Sequence, residues 1–174
     1  MSYRPSAENM AEAEAAVLGS LLLDPEGCAP KVLPVLRASD FSDPANAEVF
    51  ATIVELADEQ VYAGTFPDHN SVRFRLREKK KLEQLPGGDA YLTILAESVA
   101  ALWSLPAHVD LVRRESCRRR LTRRAAWLQR ELAAGADPYE LAATIAGELG
   151  PDALAAPRKG AATIKPAPIS ELMG

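Results

Sequence analysis

The sequence predicts an all-α fold: a small helical bundle, a projecting helical hairpin after it, and a flexible C-terminal linker. Three observations predict this. No segment alternates apolar and polar residues over a convincing strand length, whereas apolar residues recur every three or four positions between turn-forming clusters. From Leu105 the helical pattern runs without an internal breaker as far as Gly135. After Gly150 the chain becomes rich in Ala, Pro and Gly with a few Lys and Arg, the composition of a linker.

The elements follow in order. Ala11 to Leu23 places Ala15, Leu18 and Leu22, and Val17 and Leu21, at helical spacing, with acidic residues at its start where they suit the helix dipole. Asp24-Pro25-Glu26-Gly27 is a turn by composition, so a second helix is expected from about Ala29 to Leu36, with Pro30 in its first turn. Asp40-Phe41-Ser42-Asp43-Pro44 breaks again. Ala45 to Asp58 carries Val49, Phe50, Ile53, Val54, Leu56 and Ala57, the broad apolar face of a buried helix. Gly64 to Pro67 reads as a loop. Asp68 or Asn70 can cap the next helix, which runs to about Lys80 with Val72, Leu76 and Phe74 turned inward. Leu82 and Leu85 lead to Pro86-Gly87-Gly88, and Asp89 is expected to cap a short helix from Tyr91 to Val99.

Val109, Val112, Cys117, Leu121, Ala125, Leu128 and Leu132 then recur every three to five residues, the apolar stripe of one helix about 45 Å long at ~1.5 Å per residue. Gly135-Ala136-Asp137-Pro138 stops it, with Asp137 a candidate cap. Tyr139 to Leu149 returns as a shorter helix with Leu141, Ala142, Ile145 and Leu149 apolar. The expected organisation is a flexible N-terminus at 1–7, a globular body at 8–104, the hairpin of the same domain at 105–149, and a mostly flexible linker at 150–174. A projecting hairpin has two apolar stripes that a small body cannot fully cover, and burial against a second copy is the economical solution.

At 174 residues, with 48% hydrophobic and 25% charged residues, the chain has the composition of a soluble globular protein, one domain with an appendage. Its net charge of −4 gives the whole molecule no electrostatic reason to condense on DNA, so any nucleic-acid contact would be local. Cys28 and Cys117 are far apart without partners at metal-ligand spacing, which argues against a zinc site or a disulfide framework and for a reducing, cytoplasmic setting. The N-terminus lacks a signal pattern, and no run reaches the ~18 apolar residues of a membrane span.

Seven arginines, Arg113, Arg114, Arg118, Arg119, Arg120, Arg123 and Arg124, crowd residues 112–124. On a helix they spread around the surface left by the apolar stripe. A phosphate-tracking face would gather its charges among stacking aromatics, and only Trp127 is near, so a solvated surface is favoured over partner docking or DNA contact. The basic stretch from Arg73 to Lys81 reads the same way. Catalysis finds little support. No G-x-x-x-x-G-K-[ST] segment is present to wrap phosphates. His69 and His108 are the only histidines and read as surface or packing residues. Glu12/Glu14 and Asp58/Glu59 read as surface charges, and Trp103 and Trp127 as packing or hairpin-interface residues.

These residues resemble a known family. Glu8-Asn9, Ala13-Glu14, the run from Val17 to Asp24, Asp40-Phe41, Phe50 nine residues after Phe41, and Gly87-Gly88 followed by Ala90-Tyr91-Leu92 are similar, in order and from about Glu8 to Leu149, to the N-terminal domain of DnaB-family replicative helicases. The resemblance implies a helical body with a hairpin. It also implies a collar of paired hairpins, a trimer of dimers, that receives primase above ATP-driven motor domains. Carried over here, it puts self-association on Leu121, Ala125, Leu128 and Leu132 with Leu141 and Ile145. It leaves this chain without a cofactor, since ATP and Mg belong to the motor domain. The implied partners are other copies, primase, the motor domain and, indirectly, DNA, with no membrane. One departure is Asn46, where the family often has a histidine five residues after the Asp-Phe phenylalanine. The alternative reading is a free-standing module that binds single-stranded DNA or regulates a helicase through its basic helix surfaces.

Overall fold

A helix whose second half is almost wholly apolar must be enclosed there on most sides, and α1 (Ala7–Leu23) is the axis around which the body is built. In the computed structural model, which describes residues 7–60, 65–98 and 104–148, it buries Met10, Ala13, Ala16, Val17, Leu18, Leu21 and Leu22. Four other helices pack on it, α2 (Pro25–Val32), α3 (Pro44–Gln60), α5 (Asp89–Glu97) and α6 (Leu105–Ala133), while α4 (His69–Glu78) lies on α3. The hairpin is completed by α7 (Pro138–Glu148), and two short 3-10 turns, Ala38–Asp40 and Leu82–Gln84, join the body helices. No strand occurs among the described residues.

Three local features differ from the sequence reading. The second helix starts at Pro25 rather than Ala29, because Asp24 is its cap: the Gly27 N–H donates to Asp24 Oδ1 at 3.0 Å and Pro25 occupies the first turn, where its missing N–H costs little. Pro30 therefore lies inside that helix. Asp89 does not cap α5. Gly88 holds the cap position with a φ of 61°, and the Asp89 carboxylate pairs with Arg73 instead. Phe74 is 63% exposed, since it stands two residues, about 200° of helix, from both Val72 and Leu76, which are buried. Asp68 caps α4 by accepting from the Ser71 N–H at 2.9 Å, and its carboxyl is held below the usual range by the hydrogen bonds from Ser71.

At the end of α4 the chain enters the left-handed region at Lys80, φ 55°, so that the Lys81 N–H reaches the Leu76 carbonyl at 2.9 Å and the Lys80 N–H that of Arg77 at 3.0 Å. Glycine is the residue that adopts this conformation without a Cβ penalty. Lys80→Gly is therefore expected to raise stability by about 0.5–1 kcal/mol in urea unfolding. The end of α6 uses the same geometry with a glycine already in place: Gly135 has φ 86°, its N–H donates to the Leu132 carbonyl at 3.1 Å and that of Ala136 to Glu131 at 3.0 Å. Asp137 then caps α7, accepting from the Tyr139 N–H at 2.7 Å and the Glu140 N–H at 3.2 Å. Val99, Trp103, Leu149 and the expected linker lie outside the described residues.

Candidate interaction site on the helical hairpin

The long helix α6 does not present one continuous apolar stripe. Its first half turns Leu105, Val112, Glu115 and Ser116 into the body, so the body and the hairpin share it. Cys117, expected on the apolar face, is only half-buried. At ~100° per residue, Leu121, Ala125 and Leu132 stand on roughly the side opposite Val112. There they are exposed, Leu121 at 44% and Leu132 at 47%. The apolar side of the helix thus changes faces near Leu121. A third face, Arg124, Trp127 and Glu131 at i, i+3 and i+7, is half-buried, as is Leu128 at the edge between it and the outward row; on α7 Leu141 is buried and Ile145 half-buried. Of the six residues expected to meet a second copy, Leu141 is buried and Leu128 and Ile145 are half-buried. Leu121, Ala125 and Leu132 face outward.

The arginines are divided among several tasks. Arg119 donates to the Asp40 carbonyl at 2.6 Å, Arg118 pairs with Glu115, and Arg114 with Asp110. The Arg124 guanidinium lies 3.8 Å from the centroid of the Trp127 ring, a cation–π contact. Arg113, Arg120 and Arg123 are exposed. The second basic stretch is met by acids of the body. Arg75 bridges Glu55 and Glu59, each at 2.6 Å, Lys81 reaches Glu48 at 2.7 Å, Lys79 pairs with Glu55, and Arg73 with Asp89. Hydrogen bonds from Lys79 and Arg75 hold the Glu55 carboxyl below its ordinary range, and Arg75 does the same for Glu59. His69 and His108 are both half-buried, with Ser104 Oγ 3.5 Å from His108 Nδ1. Cys28 is buried and Cys117 half-buried, both as thiols, and burial pushes the Cys28 thiol upward.

Glu14 is the residue the sequence reading misplaced most. It is fully buried rather than a surface charge, and it is the hub of a polar network. Its Oε1 accepts from the Ser42 N–H and hydroxyl, both at 2.6 Å, and its Oε2 from Asn46 Nδ2 at 3.0 Å and the Asp43 N–H at 3.3 Å. The Tyr91 hydroxyl donates to Asn46 Oδ1 at 2.7 Å. One helix, one loop, the start of α3 and α5 are thereby joined. The missed signal was spacing: Glu14 stands three, four and seven residues before Val17, Leu18 and Leu21, on the buried face.

Burial, followed by the carboxylates of Asp43 and Glu14, raises the Tyr91 phenol from 10.0 to about 12. A phenol held neutral by the fold contributes stability that is fully present below the unfolded pKa near 10 and is lost as pH rises through the folded value. Ultraviolet titration of phenolate is therefore expected to show one tyrosine ionising near pH 12, and Tyr91→Phe to remove that step.

Residues 6–114 match the family described as the DnaB-like helicase N terminal domain. The chain belongs to that family. It is 33% identical over 114 residues to the replicative DNA helicase DnaB of Geobacillus stearothermophilus, an alignment covering 66% of this chain and 24% of that protein. With the DnaB of Rhodothermus marinus it shares 30% over 138 residues, 79% of this chain and 14% of that one. The chain thus spans a quarter or less of the length of these relatives. Among solved structures, the N-terminal domain of DnaB helicase from Mycobacterium tuberculosis superposes with a TM-score of 0.68 at 27% identity, covering 79% of this chain and 94% of that one. A DnaB-like replicative helicase described with its interactions with primase superposes with a TM-score of 0.65 at 28% identity, covering 91% of this chain and 33% of that one.

In this DnaB-like domain several of the residues that carried the resemblance are brought together, two of them through Asn46. Glu14, Asn46 and Tyr91 form the network just described, and the rings of Phe41 and Phe50 pack against each other at a tilt of 35° with centroids 4.8 Å apart. Asn46, the departure from the family pattern, is both a donor to Glu14 and an acceptor from Tyr91. Among the described residues, no cluster of His, Cys, Asp and Glu could hold a metal ion, and no helix is long and apolar enough to cross a membrane.

Proposed function

We propose that this chain is a non-catalytic N-terminal domain of a DnaB-type replicative helicase that associates with further copies of itself through its hairpins, as a dimer or a trimer of dimers, and that docks primase. The observation that carries the reading is the outward-facing row of Leu121, Ala125 and Leu132, apolar residues that stay exposed on the side of α6 opposite Val112. Exposed leucines repeated along one face of a projecting helix are what an isologous helix–helix contact requires. Primase enters through the DnaB-like helicase of known structure that was described with it. ATP turnover and unwinding belong, in this proposal, to a motor domain of the same assembly.

The ion pairing of Arg73, Arg75, Lys79 and Lys81 favours this reading over direct DNA binding, because those cations are already opposed by carboxylates and would release few counterions on meeting phosphate. The test mixes the purified chain with the primase of the same organism and follows the mass by light scattering, beside fluorescence anisotropy of labelled single-stranded DNA at low salt. The proposal expects a co-eluting complex with primase and flat anisotropy. Separate elution of the two proteins would remove primase docking. Tight, salt-sensitive DNA binding would instead support the module that acts through its basic helices.

A further inference from the structure

We propose that the segment Asp40–Asp43 is a clasp that fixes the direction in which the α6–α7 hairpin leaves the body, and that its Asp40 end is the joint at which the hairpin can turn without unfolding the body. The four residues hold three helices at once. Asp40, itself buried, accepts from the Ser116 hydroxyl at Oδ1 (2.5 Å), from the Arg37 N–H at Oδ2 (2.8 Å) and from the Arg119 guanidinium at its carbonyl (2.6 Å). Phe41 packs its ring, tilted, against that of Phe50 of α3. The N–H groups of Ser42 and Asp43 end on the Glu14 carboxylate of α1.

The two ends of the clasp differ in kind. The Ser42–Asp43 end is locked into a fully buried carboxylate and an aromatic pair, part of the core that keeps the body folded. The Asp40 end meets α6 only beyond Val112, the last residue of that helix to join the core cluster. Contact through apolar area is non-directional and leaves the angle of a helix loosely set, whereas hydrogen bonds weaken steeply when bent. The angle of the outer half of α6 is therefore held by Ser116 and Arg119. If they let go, the half-buried Arg119 guanidinium is readily satisfied by water, and the buried Ser116 hydroxyl can turn to the Val112 carbonyl one helical turn back. From Arg119 to Ala133 the helix extends about 21 Å at ~1.5 Å per residue, so a turn of about 10° at the joint moves its tip by about 4 Å. Such a shift is a gentle bend of α6 near Ser116 to Arg119, within what a long helix tolerates without losing its hydrogen bonds, and it re-aims Leu121 and Leu132. The clasp is a property of the single chain, and it stands whether or not those leucines meet another copy.

The test uses the full chain with Thr93→Cys on α5 and Ala143→Cys on α7 as spin-label sites, both exposed, with Cys117→Ala and the buried Cys28 left in place. Labelled chain is diluted in excess unlabelled chain so that only distances within one molecule are read. The unaltered clasp is expected to give one narrow distance peak. Ser116→Ala with Arg119→Ala is expected to at least double its width while far-ultraviolet circular dichroism is unchanged, and Arg119→Lys, which can still donate to the Asp40 carbonyl, to restore most of the narrowness. An unchanged width and mean in the double variant overturns the proposal. If the double variant loses helicity, Arg119→Ala alone decides by the same criterion.

Discussion

Glu14→Ala is expected to cost about 3 kcal/mol of stability and to lower the melting temperature by about 10 °C. The size follows from what is stranded. The carboxylate accepts four hydrogen bonds, and its removal leaves the Asn46 amide without its buried acceptor, the Ser42 hydroxyl and N–H searching for water, and a side-chain-sized void beside Val17 and Leu18. Each buried donor left unmet costs about 1–3 kcal/mol, with part recovered here because Ser42 and Asp43 are exposed at the surface. Glu14→Gln keeps the volume but offers one acceptor oxygen instead of two, and is expected to fall between Ala and the parent. Urea unfolding of the three proteins checks the order. A loss for Glu14→Ala below about 1 kcal/mol, the range of ordinary surface substitutions, would mean that the network is not an anchor of the fold.

Leu121→Glu combined with Leu132→Glu is expected to weaken self-association at least about 100-fold while leaving helicity, and the melting temperature of the dilute, dissociated chain, unchanged. Both side chains face outward, so the fold of the single chain loses little when they change. In an isologous contact each substitution appears twice, and each replaces an apolar contribution of about 1.5–3 kcal/mol with a carboxylate that resists burial. A 100-fold change is only about 2.8 kcal/mol, well inside that sum. Leu128→Glu is a poorer probe, because Leu128 is half-buried on the edge of the hairpin's own inner face and its loss would disturb the hairpin itself. Sedimentation velocity with circular dichroism separates the two effects. An unchanged association in the double variant would place the contact on another surface.

The helices were legible because their apolar positions repeat at helical spacing, and the turn at Gly135 to Asp137 because Gly and Asp do there what their backbone and side-chain chemistry favours. Asp24-Pro25 was less so. The same dipeptide serves a turn or a capped first helical turn, and only the Gly27 N–H meeting the Asp24 carboxylate decides between them. Polar residues on buried faces were the main loss. Glu14, Glu115 and Ser116 occupy core-facing positions, and a reading that equates charge with solvent passes over them. The two faces of α6 were passed over for a related reason: nine residues at ~100° each put Leu121 opposite Val112, but joining every apolar position into one stripe ignores that rotation, and the body's location shows which of the two faces is buried. The division of the arginines among Asp40, Glu115, Asp110 and Trp127 depends on long-range contacts that no local pattern contains.

The central claim is that the outward row on α6 holds copies of this domain together. Light scattering of the purified chain over a wide concentration range tests it most directly. The account predicts a mass at an even multiple of the 18.7 kDa chain, persisting on dilution and unaffected by moderate salt, as an apolar contact requires. A mass of 18.7 kDa at every concentration would contradict it, and Leu121 and Leu132 would then be exposed leucines without a partner among copies of this chain.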